Sequence, residues 1–284
     1  MEELQNNLTP SEESRPEMPV NKGFSSRAMS LRTLLTSGKM LAMIICLAVA
    51  IFLVPLGRQK QAEMGSIMVN DMLEQLEYTY GYNYDMNQFY DYLDTARSSS
   101  FMGSMFGSLP LILTAVGFLI IFLSVRNAMN DRISTTGFSM LKVMNIIGIV
   151  GYSLLALLVV LVSILMIVIG FASGEPSLGI VMLVLFGVFF LIFGAIIALM
   201  IIKNAGLDSS IESIKAAIND DTVVKKVSGF SVVMLYIIGV LNGLTLITAL
   251  TTTNIFGMLG SAAAIGYYIL LGINLNLAKE IINS

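Results

Sequence analysis

The chain has no histidine, no tryptophan and a single cysteine, Cys46, among its 284 residues. Without histidine there is no Ser-His catalysis and no HExxH metalloprotease site. One cysteine cannot close a disulfide within the chain, and a His/Cys metal site is excluded as well. Cys46 lies in an uncharged stretch, where a thiol acts as a small hydrophobe. No lysine precedes Ser or Thr, so the phosphate-binding P-loop is missing, and GxSxG does not occur. Charge is scarce too. Asp, Glu, Lys and Arg make up 12% of the chain, about half of what a soluble domain carries. The net charge of −3 gives no basic surface for nucleic acid.

What is present is apolar: 56% of the residues are hydrophobic, and they fall in long uncharged blocks. About 20 apolar residues cross the ~30 Å hydrocarbon core as a helix. The blocks predict six spans, at 40–56, 106–125, 143–170, 178–202, 229–250 and 255–276. Pro110 falls in the first turn of the second span, where proline is tolerated. The last two spans come from one block, divided at Thr251, Thr252, Thr253 and Asn254 because Thr and Asn favour turns. The expected fold is an all-α polytopic membrane bundle. The lipid bilayer is its first partner.

Orientation follows from the cations. With the N-terminus inside, the cytoplasmic parts hold Arg15, Lys22, Arg27, Arg32, Lys39, Arg126, Arg132, Lys142, Lys203, Lys215, Lys225, Lys226 and Lys279. The outer parts hold Arg58, Lys60 and Arg97. The bias predicts both termini in the cytoplasm, in a bacterial cytoplasmic membrane. The polar, acidic start of the chain lacks the short basic region of a signal peptide. Residues 1–21 therefore read as a disordered cytoplasmic tail.

Two cytoplasmic stretches have amphipathic spacing. In 22–39, Ala28, Leu31, Leu34 and Leu35 share a face, with Arg27 and Arg32 placed off it, which predicts an interfacial helix. In 203–228, Leu207, Ile211, Ile214 and Ile218 form a stripe, and Ser209 with Glu212 reads as a capping box opening a separate helix. Packing against the bundle is the plainer use of both; a docking surface for a cytoplasmic partner is the functional one. Residues 126–142 form the other inner loop and 277–284 the inner tail.

Gly-Phe-Ser occurs at Gly23, Gly137 and Gly229. The last two copies precede Ile-Ile-Gly with a one-residue offset. "VRNAMND" and "IKNAGLD" end two spans alike. These likenesses suggest three helical hairpins, the first with an insert at its outer tip.

That insert, 57–105, is the polar exception. Six of the ten tyrosines lie between Tyr78 and Asp94. Met64, Ile67, Met68, Met72, Leu73 and Leu76 have helical spacing, as do Met86, Phe89, Tyr90 and Leu93. The expectation is a helix, a tyrosine-rich turn at Gly81 and a return helix, forming a small acidic extracytoplasmic cap. Tyr78, Tyr80, Tyr82, Tyr84 and Tyr90, with Asp91 and Asp94, are the candidate partner-binding surface, for a second copy of the chain or another membrane protein. Their plainer role is to pack the two cap helices together. No calcium loop surrounds Asp91 and Asp94.

The interiors of the spans carry no Asp, Glu, Lys or Arg. A charge there costs roughly 2.5–3.5 kcal/mol and is kept where function needs it. This argues against an intramembrane aspartyl protease and a carboxylate proton relay. Milder polar residues remain: Asn145, Ser153, Ser163, Asn242, Thr245, Thr248 and Asn274. Asn145, Asn242 and the Gly239–Gly243 GxxxG pair are the candidate helix-packing residues. The 19 methionines are scattered and suit adaptable packing.

A helix before the first span, six spans with both ends inside and the inner stretch 126–142 are similar in architecture to transport permeases of the ABC-2 type. The 203–226 loop is longer than that likeness implies. Two functions are therefore expected. The first is a non-enzymatic scaffold or sensor-like subunit with a binding cap and no cofactor. The second, implied by the resemblance, is a permease subunit energised by a separate cytoplasmic ATPase.

Overall fold

A computed structural model describes residues 25–80, 108–128, 132–172, 174, 176–222 and 226–283. The helices are α1 (Ser26–Leu35), α2 (Gly38–Tyr80), α3 (Ser108–Asn127), α4 (Thr136–Ala172), α5 (Pro176–Asn219), α6 (Gly229–Thr251) and α7 (Ile255–Asn283). Among the described residues there is no strand. All but α1 are long and apolar enough to cross a membrane, six in all. Helix is the form these segments must take in lipid, because each backbone N–H and C=O has to be satisfied within its own segment. The chain is built as an integral, multi-pass membrane protein.

α7 lies between α2 and α6 and packs along both, while α4 packs along α5. Each of these pairs is antiparallel. Gly57 on α2 meets Gly257 on α7, and Cys46 meets Gly266 further along. Gly170 on α4 lies beside Gly179 and Met182 on α5, while Gly148 meets Asn204 at the other end. The two groups join where α5 touches α6: Gly206 lies against Ser228 and Ser231. The Ser231 hydroxyl donates to the Lys203 carbonyl at 3.0 Å, and the Ser228 N–H donates to Ser210 Oγ at 3.1 Å.

Both buried apolar clusters lie toward the end that gathers Arg32, Arg132, Lys142 and Lys279, called here the basic end. One joins Leu31, Ile121, Phe138, Ile218, Leu235 and Leu275, drawn from six helices. The other joins Met43, Leu47, Phe122 and Tyr267. Elsewhere α4 and α5 present exposed Leu154, Leu161, Val168, Val184 and Leu191, the surface a membrane helix offers to acyl chains.

The division at 251–254 is where the helix breaks. Thr253 N–H donates to Leu250 O at 3.2 Å and Asn254 N–H to Ala249 O at 3.0 Å. This is a Schellman ending, with Thr253 at φ 50° where glycine is usual. Asn254 then opens α7, accepting from the Gly257 N–H at 2.9 Å.

Other expectations need correction. The fourth span and the helix beyond it are one element: α5 runs 44 residues, about 66 Å at 1.5 Å per residue. Ser209 and Glu212 therefore stand inside a helix and form no capping box; the Ser209 carbonyl accepts from the Ser213 hydroxyl. Nothing between 203 and 209 breaks a helix except Gly206, and that glycine is needed for the approach to α6. Likewise α2 does not stop at Leu56 but continues through Pro55, Gly57 and Arg58 to Tyr80.

α1 packs on the bundle. Ala28 and Leu31 are fully buried, and Arg32, expected off that face, is buried with them. Four residues after Ala28, it shares Ala28's side of the helix.

The Gly-Phe-Ser copies sit at different helix positions. Ser25 is the N-cap of α1, Ser231 follows the N-cap Ser228 by three, and Ser139 is the fourth residue of α4. Phe138 is buried while Phe230 is exposed. Gly137 and Gly229 are the second and first residues of their helices.

Candidate functional site

At the basic end α1 lies over a cavity of about 110 Å³. Its wall comes from six helices: Leu31 and Leu35 of α1, Met40 and Met43 of α2, Phe118 of α3, Met144 of α4, Ile211 of α5 and Leu271 of α7 are among its apolar residues. Thr114, Asn145, Tyr267 and Asn274 are the polar side chains on it. The Thr114 hydroxyl is engaged, donating to Pro110 O at 2.7 Å. Asn274 is 7% exposed. Its Nδ2 donates weakly to Met43 Sδ at 3.8 Å, and its Oδ1 is buried without a hydrogen-bond donor. An unpaired buried carbonyl costs roughly 1–3 kcal/mol.

Hydrogen bonds between distant segments hold the layer that carries α1. Arg32 Nη1 donates to Ala128 O at 2.7 Å. Asn219 clamps Ile133 from both sides: its Oδ1 accepts the Ile133 N–H at 3.0 Å and its Nδ2 donates to Ile133 O at 3.4 Å. The Ser25 hydroxyl donates to Asp221. Arg132 with Asp220 at 3.3 Å and Lys142 with Glu212 at 3.6 Å are ion pairs at the surface, each worth at most about 1 kcal/mol.

The residues singled out in the sequence are dispersed. Tyr78 is 94% exposed, near the end of α2, and Tyr80 closes that helix. Tyr82, Tyr84, Tyr90, Asp91 and Asp94 lie outside the described residues. Gly239 faces α7 at ordinary contact distance: a Cβ there would stand 3.4 Å from a side-chain carbon of Ile269, while a Cβ on Gly243 would meet nothing within 4 Å. Asn242 bonds its own helix, donating to Ile238 O at 2.8 Å. Asn145 lines the cavity.

Tighter backbone approaches lie elsewhere. A Cβ on Gly57 would stand 2.6 Å from Gly257 Cα, and one on Gly260 would stand 2.9 Å from Val54 N. Asn254 Nδ2 donates to Gly57 O at 2.7 Å beside this crossing. Gly57, Gly257 and Gly260 form no GxxxG pair within one helix, so no linear motif marks the crossing. The cavity is equally silent in the sequence, because six separate segments build it. Arg32 did carry a signal, its i+4 spacing from Ala28. Compared with known proteins, the chain matches no family model, no curated protein and no solved structure.

Proposed function

We propose that this chain is a non-enzymatic, multi-pass subunit of a bacterial cytoplasmic membrane, a scaffold or sensor-like protein with both termini in the cytoplasm. One observation carries the reading: four of the seven polar side chains named in the spans bond within the bundle, while Ser163 Oγ and Asn274 Oδ1 have no partner. Asn242 bonds Ile238 O, Thr248 bonds Leu244 O at 3.0 Å, Ser153 bonds Ile149 O at 2.8 Å and Thr245 bonds Ser261 at 3.1 Å. A polar solute or a hydrolytic reaction needs polar groups free to meet it. Here these four serve packing.

The basic end is the cytoplasmic one in this reading, by the positive-inside bias. α2 then carries the cap. It runs 23 residues beyond Gly57, where it meets α7, about 35 Å of helix. Ile67, Met68, Met72 and Tyr78 stay exposed along it. That apolar stripe supports a contact with a second copy or another membrane protein.

Two experiments test the reading. After Cys46→Ser, single cysteines are placed at Tyr82 and at Lys215 and treated in intact cells with a membrane-impermeant maleimide. Labelling at 82 and protection at 215 are expected; the reverse pattern inverts the topology. Deletion of 60–97 is then expected to abolish capture of a membrane partner by crosslinking, and undiminished capture removes the cap from the function.

The break at Thr36 and Ser37 between α1 and the first span favours a second reading, a permease subunit served by a separate ATPase. Recovery of a P-loop ATPase with the affinity-purified chain would support it over the scaffold.

A further inference from the structure

We propose that the cavity beneath α1 is a binding site for a small apolar alcohol, with Asn274 Oδ1 accepting a hydrogen bond from its hydroxyl. Three features converge. The wall is built of leucine, isoleucine, phenylalanine and methionine, so the body of the ligand is apolar. Met40, Met43 and Met144 can adjust to its shape, since thioether side chains repack easily. The Asn274 carbonyl is buried and has no donor within the protein, so the ligand brings one donor.

Size narrows the class. At about 110 Å³ the space is somewhat smaller than the ~150 Å³ apolar cavity that takes a benzene ring. A monohydric alcohol of roughly six carbons, cyclic or linear, is the upper bound. An amphiphile satisfies the carbonyl with one group and the wall with the rest.

Fluorine NMR on the full chain in phosphatidylcholine nanodiscs tests this, with empty nanodiscs as the baseline. The probes are 4-fluorophenol and fluorobenzene, which differ by the hydroxyl. The expected result is protein-dependent binding of both, with the phenol about tenfold tighter, the scale of one hydrogen bond. Asn274→Leu should remove that preference while fluorobenzene still binds. Leu207→Phe, which extends into the space, should weaken both. If the wild-type chain binds the two probes equally, or neither above the empty discs, the proposal fails; this comparison needs no variant to fold. Displacement of 4-fluorophenol by cyclohexanol is expected, and failure of cyclohexanol to displace it would overturn the proposal.

Discussion

The guanidinium of Arg32 donates a 2.7 Å hydrogen bond to the carbonyl oxygen of Ala128, 96 residues away. That carbonyl lies just past the C-terminus of α3, where a helix has unsatisfied acceptors and partial negative charge. Arg32 is only 5% exposed, so the bond is made out of reach of bulk water. It fixes α1 to α3 and holds the cover of the cavity in place.

Arg32→Ala is therefore expected to destabilise the protein by about 1.5–3 kcal/mol, the range for a hydrogen bond to a charged donor. Arg32→Lys should recover only part, because an ammonium lacks the planar fork. Cys46 is the only cysteine and is half-buried, so a thiol-reactive dye reports melting directly. An unchanged melting curve for Arg32→Ala would make the contact energetically idle.

Two glycine substitutions should differ in sign. Gly57→Ala places a methyl 2.6 Å from Gly257 Cα, an overlap with backbone that cannot swing away. Overpacking of this kind costs about 1–3 kcal/mol. Gly243→Ala meets nothing within 4 Å and should gain about 0.5–1 kcal/mol from helix propensity. Equal effects at the two sites would refute the assignment of the tight crossing to Gly57.

Thr253 adopts φ 50°, a left-handed conformation that strains a β-branched residue by about 1–3 kcal/mol. Thr253→Gly removes the strain and adds back roughly 0.5–1 kcal/mol of unfolded freedom. A modest rise in melting temperature is expected, and a fall would show that the threonine side chain itself matters there.

Asn254 uses both ends of its amide, donating to Gly57 O and accepting from Gly257 N–H. Asn254→Asp keeps the acceptor that caps α7 and loses the donor. Asn254→Ala loses both. The expected costs are about 1–2 kcal/mol for aspartate and 2–3 kcal/mol for alanine, from a lost cap and a buried carbonyl left unpaired. Aspartate as stable as the parent would mean that the bond to Gly57 contributes nothing.

The outcome at each position shows how far a linear reading reaches. The turn at 251–254 was legible because Thr and Asn act locally on the backbone. The unbroken course of α5 was not, since a capping box at Ser209 and Glu212 is equally compatible with a helix interior. At the Gly-Phe-Ser copies Phe138 is buried while Phe230 is exposed, a difference that three matching residues do not encode. Asn145 and Asn274 stood out in the sequence only as mild polarity within spans; what their neighbours leave unpaired could not be read there.

By itself the sequence determined that the chain enters lipid and how many helices can cross it, because apolar length and missing charge are properties of each segment alone. Only the tertiary structure decided that α7 lies between α2 and α6, that Gly57 meets Gly257 and that six helices line a cavity beside Asn274. Those facts depend on which side chains are absent at a crossing between distant segments, and steric fit across that distance is a property of the pair.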